Sequence, residues 1–208
     1  GSFVITPEKD GVVFNYEESA KLITDKVASD WADRASFGIE MVTQVEKAQY
    51  TKEMMEKVTD KIGTFSTSYS SSAAGRKKNV KAGASFINGN VIYPGETFSV
   101  HDVVTPFTFD RGYAMAGSYL NGETVESMGG GICQVSTTLY NAVLRAELEI
   151  VERHEHSMTV GYVQLSADAA IAGTYKDLKF KNNTDTPIYI EGIANGSTLT
   201  FTIWGDET

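Results

Sequence analysis

Residues 128–150 read MGGGICQVSTTLYNAVLRAELEI: three consecutive glycines, the only cysteine of the chain, then a helix-forming run. Val135, Leu139, Ala142, Val143 and Ala146 recur at three- and four-residue spacing, which predicts a helix over 135–147 with one inward stripe. Cys133 falls in or beside its first turn, where unpaired N–H groups and the helix dipole favour negative charge. Gly129, Gly130 and Gly131 admit positive φ and let a ligand approach without a Cβ in the way. A free thiol has a pKa of about 8.5, and a helix N-terminus or a histidine lowers it towards the reactive thiolate. The N–H groups around Cys133 also suit an oxyanion. The alternative is a small buried hydrophobe, since free cysteines are among the most buried residues.

A nucleophile needs a base, and the chain has three histidines. His101 follows a β-turn region and has no evident partner. The run IVERHEHSMTVGYV, 150–163, predicts a long strand on which His154 and His156 share a face with Met158, Val160 and Tyr162. That puts His156 at the edge of the core or inside it. A cysteine on a helix followed by a histidine on a strand is the layout of papain-like enzymes. Against this stands the reading in which both imidazoles merely hydrogen-bond within a sheet. Two carboxylates compete to orient the histidine: Asp168 in SADAAI, and Glu152 on the histidine face of the strand. Spacing leaves that choice open. His-x-His with one cysteine and no third well-spaced ligand is a weak zinc signal, so neither metal nor other cofactor is called for.

The rest of the 208 residues sets the frame. With 41% hydrophobic and 22% charged residues, the composition is that of an ordinary folded domain. A net charge of -9 argues against nucleic acid, whose binding depends on neutralising phosphates. One cysteine forms no internal disulfide. No apolar run reaches transmembrane length and no signal peptide is present; Gly1-Ser2 looks like an engineered start, with any signal or anchor expected upstream.

Asn15 is placed to cap a helix bearing Ala20, Ile23, Val27 and Trp31. A short strand is expected over 37–45, then a second helix from Thr51 with Met54, Met55, Val58 and Ile62 on its apolar side. Residues 65–75, FSTSYSSSAAG, read as a loop leading into RKKNVK, the densest basic cluster of an acidic chain. SFINGNVIYPGETFSV predicts a hairpin through its NG turn, with a further turn at PG, and turns continue to Asn121-Gly122. The C-terminal run from Asp177 alternates apolar and polar residues, as a small antiparallel sheet does. The expected architecture is α+β and mainly antiparallel, with one central helix carrying the cysteine at its N-terminus, and a small helical or mixed segment in front.

The stretches FSTSYSSSAAGRKKNVKAGASFINGNVIYPGETFS, RGYAMA, GGGICQVSTTLYNAVLRAELEIVERHEHSMTVGYV, DAAI and DLKFKNNTDTPIYI together resemble the VanW domain of Gram-positive cell-envelope proteins, over residues 63–190. Gln164 stands where that family commonly has proline, and Ser166 where it commonly has glycine. The segment before resembles the C-terminal half of a peptidoglycan-binding module, which divides the chain into 1–62 and 63–208. The resemblance implies a cysteine L,D-transpeptidase acting outside the cytoplasm, at the wall or anchored to the membrane through a segment not in this sequence. Its partners would be the donor and acceptor stem peptides of peptidoglycan. By motif, Cys133 would be the nucleophile, His156 the base and Asp168 an orienting acid. Arg76 would hold a stem carboxylate, and Asn79, Gly130, Gly131, Gln134 and Ser136 would shape the pocket. A wall endopeptidase, an L,D-carboxypeptidase and a non-catalytic wall-binding module are the competing expectations.

Overall fold

The computed structural model describes residues 3–30, 36, 38–120 and 123–207. They fall into two units, Gly1–Met54 and Met55–Thr208.

In the first unit, strand β1 (Gly11–Phe14) pairs antiparallel with β2 (Thr43–Glu46), on either side of helix α1 (Tyr16–Asp30) in sequence. Asn15 Oδ1 accepts the Glu18 N–H at 3.1 Å, the side-chain cap its sequence position predicts. Ala20, Ile23 and Val27 are exposed along α1; Trp31 lies outside the described residues. The strand expected over 37–45 forms only as β2. The second helix is the single turn α2 (Lys52–Met55), so Val58 and Ile62 lie beyond it.

The second unit holds β3 (Asp60–Ser68), α3 (Ala74–Ile87), β4 (Val91–Ile92), β5 (Thr97–Ser99), α4 (Val100–Val104), β6 (Met115–Leu120), β7 (Glu123–Met128), α5 (Ile132–Arg145), β8 (Glu149–Glu152), β9 (Lys179–Lys181), β10 (Ile188–Asn195) and β11 (Thr198–Gly205). They form an antiparallel sheet in the order β3-β11-β10-β4, a second in the order β5-β9-β8, and the separate hairpin β6-β7. The architecture is therefore α+β, β-rich and mostly antiparallel, as expected. Helix α5 packs on β3 and β11, and α3 packs on β10 and α5. Val135, Leu139, Ala142 and Val143 of the predicted stripe are fully buried, beside Phe180, Phe201 and Ile203. Each large apolar side chain so buried contributes about 1.5–3 kcal/mol.

Three readings of the sequence give way. Residues 60–68 form a strand, not the end of a helix and the start of a loop. Its outward Thr64 and Ser66 pair with Thr202 and Thr200 across β11, at 3.2 and 2.7 Å. Hydroxyls here mark a strand face, because cross-strand Ser/Thr pairs satisfy each other. The second change is α3, which replaces the expected loop and hairpin. Its buried positions Asn79, Val80, Gly83, Ala84 and Ile87 keep helical spacing, but three of the five are small or polar, so hydropathy does not reveal them. Asn88-Gly89 ends that helix, with Gly89 at φ 91°, instead of turning a hairpin. Third, the long strand expected over 150–163 stops at Glu152. The turn expected at Asn121-Gly122 lies outside the described residues. Among the described residues, no helix is long and apolar enough to cross a membrane.

Gly63 sets how closely α5 approaches the sheet: a Cβ there would stand 2.3 Å from the Ala142 carbonyl oxygen and 2.7 Å from the Ala146 nitrogen. Both are backbone atoms, which cannot swing aside. Gly63→Ala should therefore destabilise the protein by about 1–3 kcal/mol, read as a lowered denaturant midpoint at unchanged m-value. An unaltered midpoint would mean that α5 and β3 do not meet here.

Candidate active site

The site begins where β7 ends. Gly131 caps α5 in the left-handed region at φ 99°, and the Arg76 side chain fills the space a Cβ would need, with Cγ 2.5 Å from that point. Glycine is thus required twice over, by conformation and by contact. Asn79, fully buried on α3, fixes the turn from below. Its amide donates to the carbonyls of Ala114 and Gly130, each at 2.9 Å, and its oxygen accepts the Ala114 N–H at 2.7 Å. Cys133 therefore occupies the first turn of a helix whose start is clamped. Among the described residues, the N–H groups of Gly131 and Cys133 find no acceptor, whereas those of Ile132 and Gln134 bond back to Gly129 and Gly131.

Helix α5 presents polar side chains to the protein interior. Ser136 donates to the Ala169 carbonyl at 2.5 Å, Thr137 accepts the Ala169 N–H at 3.0 Å, and Asn141 donates to the Ala167 carbonyl at 2.7 Å. These bonds hold residues 167–169 along the helix, which delivers Asp168 to His156. One carboxylate oxygen of Asp168 accepts both the His156 backbone N–H, at 2.7 Å, and its Nδ1, at 2.6 Å. The other oxygen accepts Arg153 Nη2 at 2.8 Å. Burial raises the affinity of the Asp168 carboxyl for its proton, but the His156 amide and imidazole outweigh that and hold it below the usual carboxylate range. With Nδ1 engaged, Nε2 is the nitrogen of His156 left for exchange.

Glu152 is committed elsewhere: it pairs with His154 Nε2 at 2.9 Å and with Lys179 at 2.8 Å. The geometry thus separates two carboxylates that spacing could not. His154 and His156 do not share a strand face, because β8 ends at Glu152 and both lie beyond it; each meets its own carboxylate. His101 lies on α4, 3.6 Å from Asp102.

Cys133 and His156 line one cavity of about 410 Å3, together with Arg76, Gly130, Gly131 and Tyr162. That volume suits a small ligand or the end of a peptide. No hydrogen bond joins the two side chains; the thiol donates to the Ile171 carbonyl at 3.3 Å. Burial pushes the Cys133 thiol up, and the charges of Arg76 and Lys176 pull the other way without cancelling it. This corrects the expectation of a lowered pKa: the helix N-terminus is there, but desolvation of the sulfur dominates.

Of the residues expected to shape the pocket, Arg76, Gly130, Gly131 and Gln134 line the cavity. Asn79 and Ser136 do not. They sit behind it, fully buried, and act on backbone. Arg76 Nη1 donates to Ser72 Oγ at 2.6 Å, and among the described residues no carboxylate pairs with its guanidinium. Two contributors escaped the sequence reading. Arg153, whose Nε also donates to the Asp168 carbonyl at 2.6 Å, secures the acid; its place between Glu152 and His154 was the available signal. Tyr162, which the sequence pattern puts with the apolar residues of a strand face, lines the cavity, and its phenol is pushed up by burial and by the nearby sulfur. Ser166, standing where glycine is common in the resemblance, has φ 64°, which explains why a glycine suits that position.

A family model described as VanW like protein matches residues 75–204. The uncharacterized protein YoaR of Bacillus subtilis (strain 168) is 38% identical over 149 residues, covering 72% of this chain and 49% of that protein. The vancomycin B-type resistance protein VanW of Enterococcus faecalis (strain ATCC 700802 / V583) is 35% identical over 112 residues, covering 51% of this chain and 41% of that protein. The chain spans about half the length, or less, of these curated relatives. No solved structure matches it at a significant level.

Two measurements test the site. Alkylation of Cys133 by iodoacetamide in the free protein should be slower than that of free cysteine at pH 7.5. Its rate should keep rising beyond the roughly pH 8.5 at which a free thiol ionises. A rate plateau below pH 7 would contradict the assigned burial. For Asp168, a folded pKa below the unfolded one stabilises above the unfolded value of about 3.9. That contribution is lost as pH falls through the lower folded value. Asp168→Asn should accordingly cost about 1–3 kcal/mol at pH 7, and the gap from the parent should close below about pH 4. A gap independent of pH would remove the charge from the account.

Proposed function

The chain belongs to the VanW family, and from that premise we propose that it is a cysteine L,D-transpeptidase joining peptidoglycan stem peptides. The observation that carries the proposal is the convergence of three features on one cavity: a lone thiol at a clamped helix start, an imidazole fixed through Nδ1 by a buried carboxylate, and an arginine with no acidic partner among the described residues. The name of the enterococcal relative, a vancomycin resistance protein, is in keeping with a cell-wall substrate. So is a net charge of -9, which disfavours nucleic acid.

In the proposed reaction Cys133 gives its proton to His156 Nε2 as substrate displaces the contact with Ile171. The thiolate adds to the carbonyl on the L-centre that precedes a terminal D-Ala. The Gly131 and Cys133 N–H groups, which have no acceptor among the described residues, receive the developing oxyanion. His156 then protonates the departing nitrogen, the C–N bond breaks, and a thioester to Cys133 remains. An amine from a second stem adds to the thioester, the C–S bond breaks, and its proton returns by way of His156 to sulfur. Asp168 holds the imidazole in one tautomer and stabilises its charged form, as the acid of a triad does. Tying Asp168 to Arg153 as well as His156 keeps that acid ionised. With stem peptides as substrate, the protein would act outside the cytoplasm, at the wall or anchored near it. Residues 1–62 would be part of a peptidoglycan-binding module and 63–208 the catalytic portion.

The test is mass spectrometry of muropeptides after incubation with isolated sacculi. New dimers with loss of D-Ala are expected from the parent protein, and none from Cys133→Ala. His156→Ala and Asp168→Asn should each slow dimer formation by about 10²–10⁴-fold. Shortened monomers alone would make the protein an L,D-carboxypeptidase or endopeptidase, and undiminished turnover by Cys133→Ala would end the thioester mechanism.

A further inference from the structure

Helix α3 has two faces of different character. The inward one, Asn79, Val80, Gly83, Ala84 and Ile87, is buried, and its Asn79 clamps the turn that carries Cys133. The outward one is basic. At 3.6 residues per turn Lys77, Lys78 and Lys81 fall within about 100° of one another, and Lys77 and Lys81 stand about 6 Å apart along the axis. Lys78 and Lys81 are exposed and Lys77 is half-buried. The helix contains no Asp or Glu. Among the described residues, lysine–carboxylate ion pairs form at Lys21, Lys47 and Lys179, and at none of these three.

That arrangement works against the helix itself. Cations near a helix N-terminus meet the positive end of its dipole, and like charges four residues apart repel. Helix α1 follows the favourable rule: Glu17 and Glu18 stand in its first turn, and Lys21 meets Asp25 at 2.8 Å. Helix α3 inverts it. Arg76, Lys77 and Lys78 open the helix without an acid, and Ala73 at the cap supplies no side-chain bond. In a chain of net charge -9, four cations within six residues are an exception that the stability of the fold does not explain. A ligand of opposite charge explains it.

The chemistry of the face selects the ligand. Its cations are lysines, since Arg76 packs its stem over Gly131. An ammonium is a compact, hydrated point charge that suits phosphate, whereas carboxylates favour the arginine fork. Ala74 and Ser85 complete the outward face, so it carries no large apolar side chain to bury in a bilayer. The negative charge of the rest of the chain repels a polyanion beyond the patch, which disfavours a broad, rigid duplex and leaves a thin chain able to follow one helix. We propose that the outward face of α3 binds a phosphodiester polymer of the cell wall. The contact is adhesive, with no covalent step. Because the same helix clamps the Cys133 turn, it holds the thiol site against the wall. The inference goes beyond the transpeptidase reading and takes from it only the location at the wall.

The experiment measures binding of the full chain to isolated sacculi bearing phosphodiester polymers, before and after hydrofluoric acid, which cleaves phosphodiesters and leaves glycan and stem peptides. Soluble poly(glycerol phosphate), polyglutamate and phosphatidylglycerol vesicles are compared. The parent should bind untreated sacculi and poly(glycerol phosphate). Combining Lys77→Gln, Lys78→Gln and Lys81→Gln should weaken both on the order of 10- to 100-fold. Acid treatment should cost the parent a similar factor, and added salt should weaken binding through screening. The triple variant should match or exceed the parent's denaturant midpoint, because cations leave the positive end of the helix. A lowered midpoint would show that the lysines serve the fold, and would overturn the inference. So would undiminished binding to treated sacculi, equal affinity for polyglutamate, or a preference for vesicles over poly(glycerol phosphate). Turnover of a soluble tetrapeptide stem is read separately. The triple variant should keep it in full, and its loss there would place the lysines in the catalytic site instead. No turnover by the parent would remove the transpeptidase reading without touching polymer binding.

Discussion

Everything at the site depends on the buried polar face of α5. A helix whose interior side carries Gln134, Ser136, Thr137, Thr138 and Asn141 cannot be packed by apolar neighbours alone, because each unpaired buried polar group costs about 1–3 kcal/mol. The fold satisfies them on two sides, Gln134 Oε1 excepted. Gln134 and Thr138 bond to β3 through Thr67 and Ser68. Ser136, Thr137 and Asn141 bond to the backbone of residues 167–169. The helix is thereby a hub between a strand and an irregular segment, and both partners are held in one register. The segment needs that support: among the described residues between β8 and β9 it forms a single isolated bridge, Ala172 to Lys176.

The same segment carries the charges. Asp168 is partly desolvated, and a carboxylate in that position survives only with donors on both oxygens. Arg153 and His156 provide them from the chain that leaves β8, so the acid is pinned from its own loop while the loop is pinned to α5. The result is an imidazole with one free nitrogen and little freedom to rotate. The thiol is treated oppositely. It is desolvated without a paired base, so it rests protonated against the Ile171 carbonyl. In the proposed mechanism activation accompanies substrate entry, which replaces that contact and brings the sulfur under the influence of His156.

The glycine run, Cys133 and the helix after it were legible because they obey local rules: consecutive glycines permit the tight start and the 3.6-residue stripe requires the helix. The antiparallel C-terminal strands were legible for the same reason, by alternation. Helix α3 was not, since Asn79, Gly83 and Ala84 face inward and hydropathy sees no stripe in such residues. The strand predicted through the two histidines failed for an instructive reason. Its alternation of apolar and polar residues was real, but His154 and His156 are claimed by Glu152 and Asp168, and the α5 hydroxyls claim the backbone that follows.

The sequence by itself determined the fold class, the position of the lone thiol in the first turn of a central helix, and the set of polar residues from which a site must be built. These follow from backbone propensity and periodicity, which act over a few residues. Tertiary structure alone decided that Asp168 and not Glu152 meets His156, that Asn79 and Ser136 support backbone behind the cavity, and that the thiol is desolvated. Each of those depends on which groups from distant parts of the chain arrive within 3 Å of one another and on how much water they exclude, and neither quantity is a local property of the sequence.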